Sequence, residues 1–526
     1  MLGVMAIGTI AWGLAGLTSL ACPPYVPPYR PPCAPPALSA CWPCEEPAFF
    51  ELTDLRVIPE RPIRGEAATI RCTVTNTGQG SGSQEIVLLI DEGKHDSRPL
   101  PLAPDESQTV SFSYVFPHAG EYNVKVASDD DADETTVDVR FVETRCPGEA
   151  DPFAPPETIV HLRPRTAVVF DPLGRGDVGW NDLVAHGLQY MPEEIGEIAV
   201  YYSSHAADMD SIATMLAEGE DFDLIVYVGW LYVDALDYIA RDFPQQRFAV
   251  IGAWWTEAPN VMAIDFRNDE GAALAGALAA LVAAEYEYDR VGAIAGFENL
   301  YFWAAEAGYR FGVHWANQWY EDAFGSDPNV HVSYVYTGGL ADAERSHDEA
   351  IKQLEEGAGV LFGFCPREDA AGIQSALSEW AKAYEITSAP PYYLGFDAYA
   401  DWLFAGRFSL GSVVARVDAA CYAALRSIVE DSFAAGTTWM GLAEGGVALS
   451  TEEDLLRELV FAVDAGLADV SDYQETIDNW IRNRESIPDW VWQAVAELRC
   501  QIIAGVVALP VPETYEEMER IRAEYP

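Results

Sequence analysis

The stretch "TAVVFDPLGRGDVGWNDLVAHGL", Thr166 to Leu188, places Gly174, Gly176 and Gly179 in a G-x-G-x-x-G pattern between an apolar run and a helical spacing. Strand, glycine loop and helix is the layout of a dinucleotide site, in which backbone N–H groups at a helix start hold a pyrophosphate. That chemistry tolerates no carboxylate beside the phosphate. Here Asp177 sits inside the loop and Asp171 at the strand tip, and Asp171, Pro172 and Leu173 push the first glycine away from the strand. The next strand ends "AVYYSSH", with no acid at its tip to hold a ribose. An NAD site is therefore disfavoured. Read as a ligand loop, the same residues make sense: Asp171 and Asn181 can hydrogen-bond a neutral polar ligand, and Trp180 offers a flat apolar face. Asn181 also reads as a helix cap and Trp180 as a core cap. The triplet Arg175-Gly176-Asp177 lies between a core strand and a helix and reads as chance. No H-E-x-x-H, G-x-S-x-G, P-loop or metal-spaced His/Cys set occurs and the eight His are scattered, so neither an enzyme nor a cofactor is expected.

Composition narrows the partners. With 83 acidic against 31 basic residues, the net charge is −52. Such a chain repels nucleic acid, and no basic stripe exists. The first 21 residues, "MLGVMAIGTIAWGLAGLTSLA", carry no charged side chain. They read as a signal or membrane-anchor segment, although the usual basic start is missing. Cys22 follows and is a candidate for lipidation, with simple cleavage and an uncleaved anchor as alternatives. All three put the rest of the chain outside the cytoplasm, anchored to the cell membrane or released.

Residues 22–47 form a Pro/Cys-rich tether whose prolines favour a stiff extended helix. "CWPC" at Cys41 to Cys44 has redox spacing but lacks a surrounding βαβ unit, so a tether disulfide is expected there. From 48 to 143 short alternating runs such as "ATIRCTVTNTG" and "EYNVKVAS" predict an all-β sandwich of some seven strands. "DDDADE" within it reads as a solvated loop, with calcium binding as the alternative. A linker spans 144–160. Beyond it the pattern is α/β: strands are expected at 166–170, 197–202, 223–228, 247–252 and 261–265, then at 290–296, 330–336, 358–363 and 391–396. Two such sets in series predict two lobes with parallel sheets. "EGAALAGALAALVAAE" is too short to span a bilayer.

The blocks "VVFDPLGRGDVGWNDLVAHGL", "FDLIVYVGWLYVDALDYIARDFPQQRFAVIG" and "PNVMAIDFRNDEGAALAGALAAL" resemble, in order, the basic membrane protein (BMP) family of substrate-binding proteins. "VGAIAGFE", "EAGYRFGV", "LGSVVARVD", "GLAEGGVAL" and "IIAGVVALPVP" continue the series. The binding domain is placed at 161–512, with about 451–486 looking inserted and 513–526 a tail. The resemblance implies a two-lobed, type 1 periplasmic-binding-protein fold that captures a purine nucleoside for an ABC importer's permease. Carried over residue by residue, it nominates Asp171, Trp180 and Asn181, then Trp230 and Asp234, with Phe362 or Phe364 as the opposing aromatic and Asp397 for the ribose. Trp230, Asp234, Phe362 and Phe364 also read as core or surface residues. Ala415 stands where the family usually has Lys, and "GFCPRED" adds Phe364, Pro366 and Arg367 near the cleft, so another flat polar ligand is open. The 48–143 segment resembles the CARDB immunoglobulin-like module. The sandwich, tether and acidic surface leave a non-transport sensor or surface interaction protein as the alternative, and the pocket departures leave a lobe pair that no longer binds a small molecule.

Overall fold

The structure is a computed structural model describing residues 47–526 except 59–61, 63–66, 92, 117–119, 140–145, 204, 206–207, 220, 388–389 and 397–399. Cys22, the tether and Asp397 lie outside the described residues. The chain divides into two compact units.

The first unit is built of strands: β1 (Phe50–Ile58), β2 (Ala67–Asn76), β3 (Gly82–Ile90), β4 (Gly93–Leu102), β5 (Ser107–Val115), β6 (Gly120–Ala127) and β7 (Ala132–Val139). They form two sheets, β1-β2-β5 and β4-β3-β6-β7. Alternation along β2 buries Ala68, Ile70, Cys72, Val74 and Asn76, and β3 buries Ile86, Leu88 and Ile90. The acidic run has a task beyond solvation. β1 is an edge strand, and the amides of Phe50, Leu52 and Leu55 donate to the carboxylates of Asp130, Asp131 and Asp133 at 2.9, 2.9 and 3.0 Å. Three side chains thus satisfy an edge that would otherwise invite pairing.

The second unit is α/β with two six-stranded sheets. The first lobe contains β8 (Arg165–Phe170), α1 (Trp180–Gln189), β9 (Glu197–Tyr202), α2 (Met209–Glu218), β10 (Leu224–Val228), α3 (Val233–Asp242), β11 (Phe248–Ile251) and β12 (Val261–Phe266). The second lobe follows with α4 (Asn268–Glu285), β13 (Arg290–Ala295), α5 (Leu300–Phe324), β14 (His331–Tyr336), α6 (Ala343–Glu355), β15 (Ala358–Phe364), α7 (Arg367–Ala383), β16 (Tyr392–Phe396) and β17 (Ser409–Ala415). The chain returns to the first lobe for α8 (Val417–Val429) and β18 (Gly436–Met440), then to the second for β19 (Val447–Leu449). Sheet orders are β18-β12-β11-β10-β8-β9 and β14-β13-β15-β16-β17-β19. The pairings are parallel except β17 with β19. Three crossings between lobes, after β12, β17 and β18, make the hinge of a type 1 periplasmic-binding-protein fold.

Strands covered on both faces need apolar side chains in succession, and β10, β12, β15 and β17 are buried along their whole length. The Ala-rich α4 is apolar all round because it is buried all round. It meets α5 backbone to backbone: a Cβ at Gly276 would stand 2.1 Å from the Tyr309 carbonyl oxygen, and one at Gly312 would stand 2.0 Å from that of Ala273. Among the described residues no helix is long and apolar enough to cross a membrane.

After β19 come α9 (Glu452–Asp464), α10 (Tyr473–Ser486), α11 (Asp489–Ile503) and α12 (Tyr515–Glu524). The segment that looked inserted is the pair α9–α10. A Cys146–Cys500 disulfide fastens the segment preceding the first lobe to α11, and Glu149 pairs with Arg499 beside it. This link joins cysteines 354 residues apart. Closing so long a loop restricts the unfolded chain, an effect typically worth about 2–4 kcal/mol. Cys500→Ser should therefore lower the melting temperature by several degrees, and reductant should do so in the parent chain but not in the variant. Coincident thermal unfolding curves with and without reductant in the parent would contradict this.

Candidate functional site

The loop between β8 and α1 is held by its own carboxylates. Asp177 Oδ1 accepts from the amides of Gly179 and Asp182, both at 3.1 Å, and Oδ2 from the amide and Nδ2 of Asn181, both at 3.0 Å. Asp182, buried, accepts from the amides of Gly176 at 3.0 Å and Val178 at 2.9 Å, and from Arg175 Nε at 2.6 Å. The N–H groups that a phosphate would need are paired with carboxylates instead. Burial, aided by the charge of Asp182, pushes the Asp177 carboxyl up to about 6 against the amides that favour its charged form.

Asn181 is wholly buried. Its Nδ2 also donates to Asp171 Oδ1 at 2.7 Å, and its Oδ1 accepts from the Asp171 amide at 3.3 Å. It orients the aspartate and the loop, and it does not cap the helix, whose N-cap is Gly179. Asp171 is half-buried, and its Oδ2 lies against Gly229 at the tip of β10. Trp180 is half-buried. Its ring packs edge-on to Phe266, centroids 6.0 Å apart, and lies on Gly252, where a Cβ would come within 2.3 Å. Asp171, Trp180 and Asn181 are thus brought together at the carboxyl ends of the first lobe's strands.

The other nominated residues fare differently. Trp230 follows β10 and is 54% exposed; Asp234 is exposed on α3. Phe362 and Phe364 point into the second lobe's core. Phe362 is stacked on Tyr309 with centroids 4.9 Å apart, so in this arrangement it is a packing residue and offers no face to a ligand. Phe364 sits at the strand end against Phe396 at 3.9 Å and Phe302 at 5.0 Å. Exposed rings at strand ends went unnoticed in the sequence: Trp254 and Trp255 after β11, and Phe297 after β13. "AWW" and "AGFE", each closing a buried strand, were the signals.

The carboxyl ends of the two sheets face each other. Arg367, opening α7 after β15, donates from Nη1 to the Asp177 carbonyl oxygen at 3.1 Å. Val178 packs with Trp402 of the second lobe and with Leu455, Leu459 and Phe461 of α9. Phe461 also meets His186 of α1 edge-on at 5.8 Å. At the β17–α8 crossing, Arg416 grips Asp454 of α9 at 2.6 and 3.2 Å. Burial alone would raise that carboxyl, but Arg416 and Arg457 overcome it and hold it at about 2. Helix α9 therefore braces both the hinge and the glycine loop. Among the described residues no group of His, Cys, Asp and Glu could hold a metal ion.

A family model described as "ABC transporter substrate-binding protein PnrA-like" (Bmp) matches residues 165–465, and a CARDB model matches 52–136. A lipoprotein of Pyrococcus abyssi is 31% identical over 360 residues, covering 68% of this chain and 86% of the relative. The nucleoside-binding protein BmpA of an ABC transporter of Lactococcus lactis is 24% identical over 223 residues, 42% of this chain and 58% of that one. An ABC-transporter solute-binding protein of Aeropyrum pernix superposes with a TM-score of 0.55 at 28% identity, covering 69% of this chain and 99% of the other.

An acid that is harder to ionise when folded binds its proton more tightly in the native state. Its contribution is largest below the unfolded value near 4 and declines as pH rises through about 6. Asp177→Asn should flatten that part of the stability profile. Denaturant unfolding at pH 4.5 and pH 6.5 reads the difference; equal pH slopes in the two proteins would refute it.

Proposed function

Because the chain belongs to the Bmp, PnrA-like family of ABC transporter substrate-binding proteins, we propose that its interlobe cleft captures a purine nucleoside or a related flat polar ligand and delivers it to an ABC importer's permease. The observation that carries this reading is the Asp171–Asn181–Trp180 cluster on the loop that Arg367 reaches from the opposite lobe. Trp180 stacks a flat ring. Asp171, oriented by Asn181, accepts hydrogen bonds from it and rejects rings lacking the matching donors. Asp397 remains the proposed partner for the ribose. Trp230 and Phe297, exposed at strand ends, are better placed than Phe362 to close over a ligand. Ligand touching both lobes biases them shut. The acidic chain acts outside the cytoplasm, held to the membrane by its N-terminal segment, with Cys22 as the lipidation site. The lipoprotein relatives support that placement.

The strand-rich unit matched by the CARDB model favours a second reading, a sensor or surface interaction protein that binds the same ligand without transport. Calorimetric titration of the full chain with inosine, guanosine, adenosine and NAD tests the ligand. Saturable nucleoside binding is expected, lost in Asp171→Ala and weakened in Trp180→Ala by the roughly 1–3 kcal/mol of a stacked base. Binding of NAD alone, or of none of the four, would overturn the nucleoside reading.

A further inference from the structure

The inserted helices carry polar groups that the cleft residues above do not use. On α9, Leu455, Glu458, Leu459 and Ala462 recur at the spacing of a single helix face. The three apolar members pack with Trp480 of α10, Trp402 of the second lobe and Val178 of the glycine loop. Glu458 is set among them at 0% exposure, and Trp402 and Trp480 are 8% and 1% exposed. Among the described residues, neither carboxylate oxygen of Glu458 has a hydrogen-bond partner, and neither indole N–H does. Native folds pair such groups, so three in one apolar cluster point to an occupant.

Their chemistry limits what that occupant is. Burial and the nearby Asp401 and Asp454 push the Glu458 carboxyl well above the usual carboxylate range, so it is a neutral acid that donates as well as accepts, while the two indole N–H groups require acceptors; a hydroxyl meets all three. An anion would be repelled by Asp454, which Arg416 and Arg457 keep ionised close to Glu458. A cation would meet the guanidiniums of Arg416 and Arg457 on Asp454, and that of Arg484 over the Trp480 ring at 4.6 Å. Asp401 itself accepts from the hydroxyls of Ser409, Ser412 and Ser450 at 2.8, 2.7 and 2.5 Å, which leaves Glu458 as the unpartnered acid.

We propose that Glu458, Trp402 and Trp480 form a hydroxyl-binding subsite where the two lobes meet, taking a pair of neighbouring hydroxyls on a neutral ligand. The proposal rests on the cleft being a ligand site, and it assigns part of the specificity to α9 and α10.

Calorimetry on the full chain and on Glu458→Gln and Trp402→Phe, with inosine, dideoxyinosine lacking both ribose hydroxyls, and D-ribose as probes, tests it. Glu458→Gln should weaken inosine and ribose about three- to tenfold, the loss expected for a hydrogen bond between neutral groups. Trp402→Phe should weaken them less, and dideoxyinosine should bind all three proteins alike. Melting temperatures check folding; exchanging an unpartnered buried carboxylic acid for an amide of the same shape should not lower that of Glu458→Gln. Unchanged inosine binding in Glu458→Gln, or equal losses for inosine and dideoxyinosine, would overturn the subsite. If the parent chain ignores both nucleosides but binds ribose through Glu458, the purine reading fails and the subsite stands. If ribose and inosine both go unbound, the subsite falls too.

Discussion

The site depends on how a nine-residue loop, 171–179, disposes of its backbone donors. Leaving β8, the chain must turn through Gly174, Gly176 and Val178, all at positive φ, before α1 begins. Those turns aim several N–H groups inward at a helix start, the arrangement that elsewhere attracts phosphate. Asp177 and Asp182 fill that demand from within the chain. The loop is thereby closed to anions and rigid enough to hold Asp171 and Trp180 in place. Asn181 completes the arrangement by joining Asp171 to Asp177. The way the helix start is satisfied thus leaves no free amide cradle for an anion at this loop.

A second constraint acts at the hinge. In a two-lobed receptor the crossing strands must bend, so whatever grips them sets the ease of closure. Here Arg416, between β17 and α8, is held by a buried carboxylate of α9, while the far side of the same helix pair touches Val178 and Trp402. Opening the lobes would have to separate Val178 from Trp402, or carry the insertion with one lobe. The α9–α10 pair is therefore coupled to any motion of one lobe against the other.

Much of the architecture was legible because burial on both faces writes strands as unbroken apolar runs. The run expected at 223–228 is β10, Leu224–Val228, and that at 261–265 is β12, Val261–Phe266. The poor fit of the glycine loop to a phosphate was legible in its two acids, and the structure pairs its amides with carboxylates. The roles within it were less so: that Asn181 serves Asp171 depends on a turn which residue types alone do not specify. For Phe362 both readings stayed open because alternation along β15 does not say which face looks at the cleft and which at Tyr309. Cys146 and Cys500 carry no spacing signal across 354 residues. Asp454 and Glu458 sit in a helix rich in charge, where a buried acid looks like a solvated one.

The charge balance bears on the ligand as well as on the surface. Basic residues are scarce at 31 in a chain of net charge −52, and those near the cleft are committed. Arg175 serves Asp182, Arg416 and Arg457 serve Asp454, and Arg367 reaches the Asp177 carbonyl. An anionic ligand would therefore approach through a repulsive field and would have to break an existing contact to find a counter-charge. A neutral ligand meets no such barrier, and it gains from aromatic faces and from carboxylates that accept its donors. The acidity of the chain thus works in the same direction as the internally capped loop, against an anion.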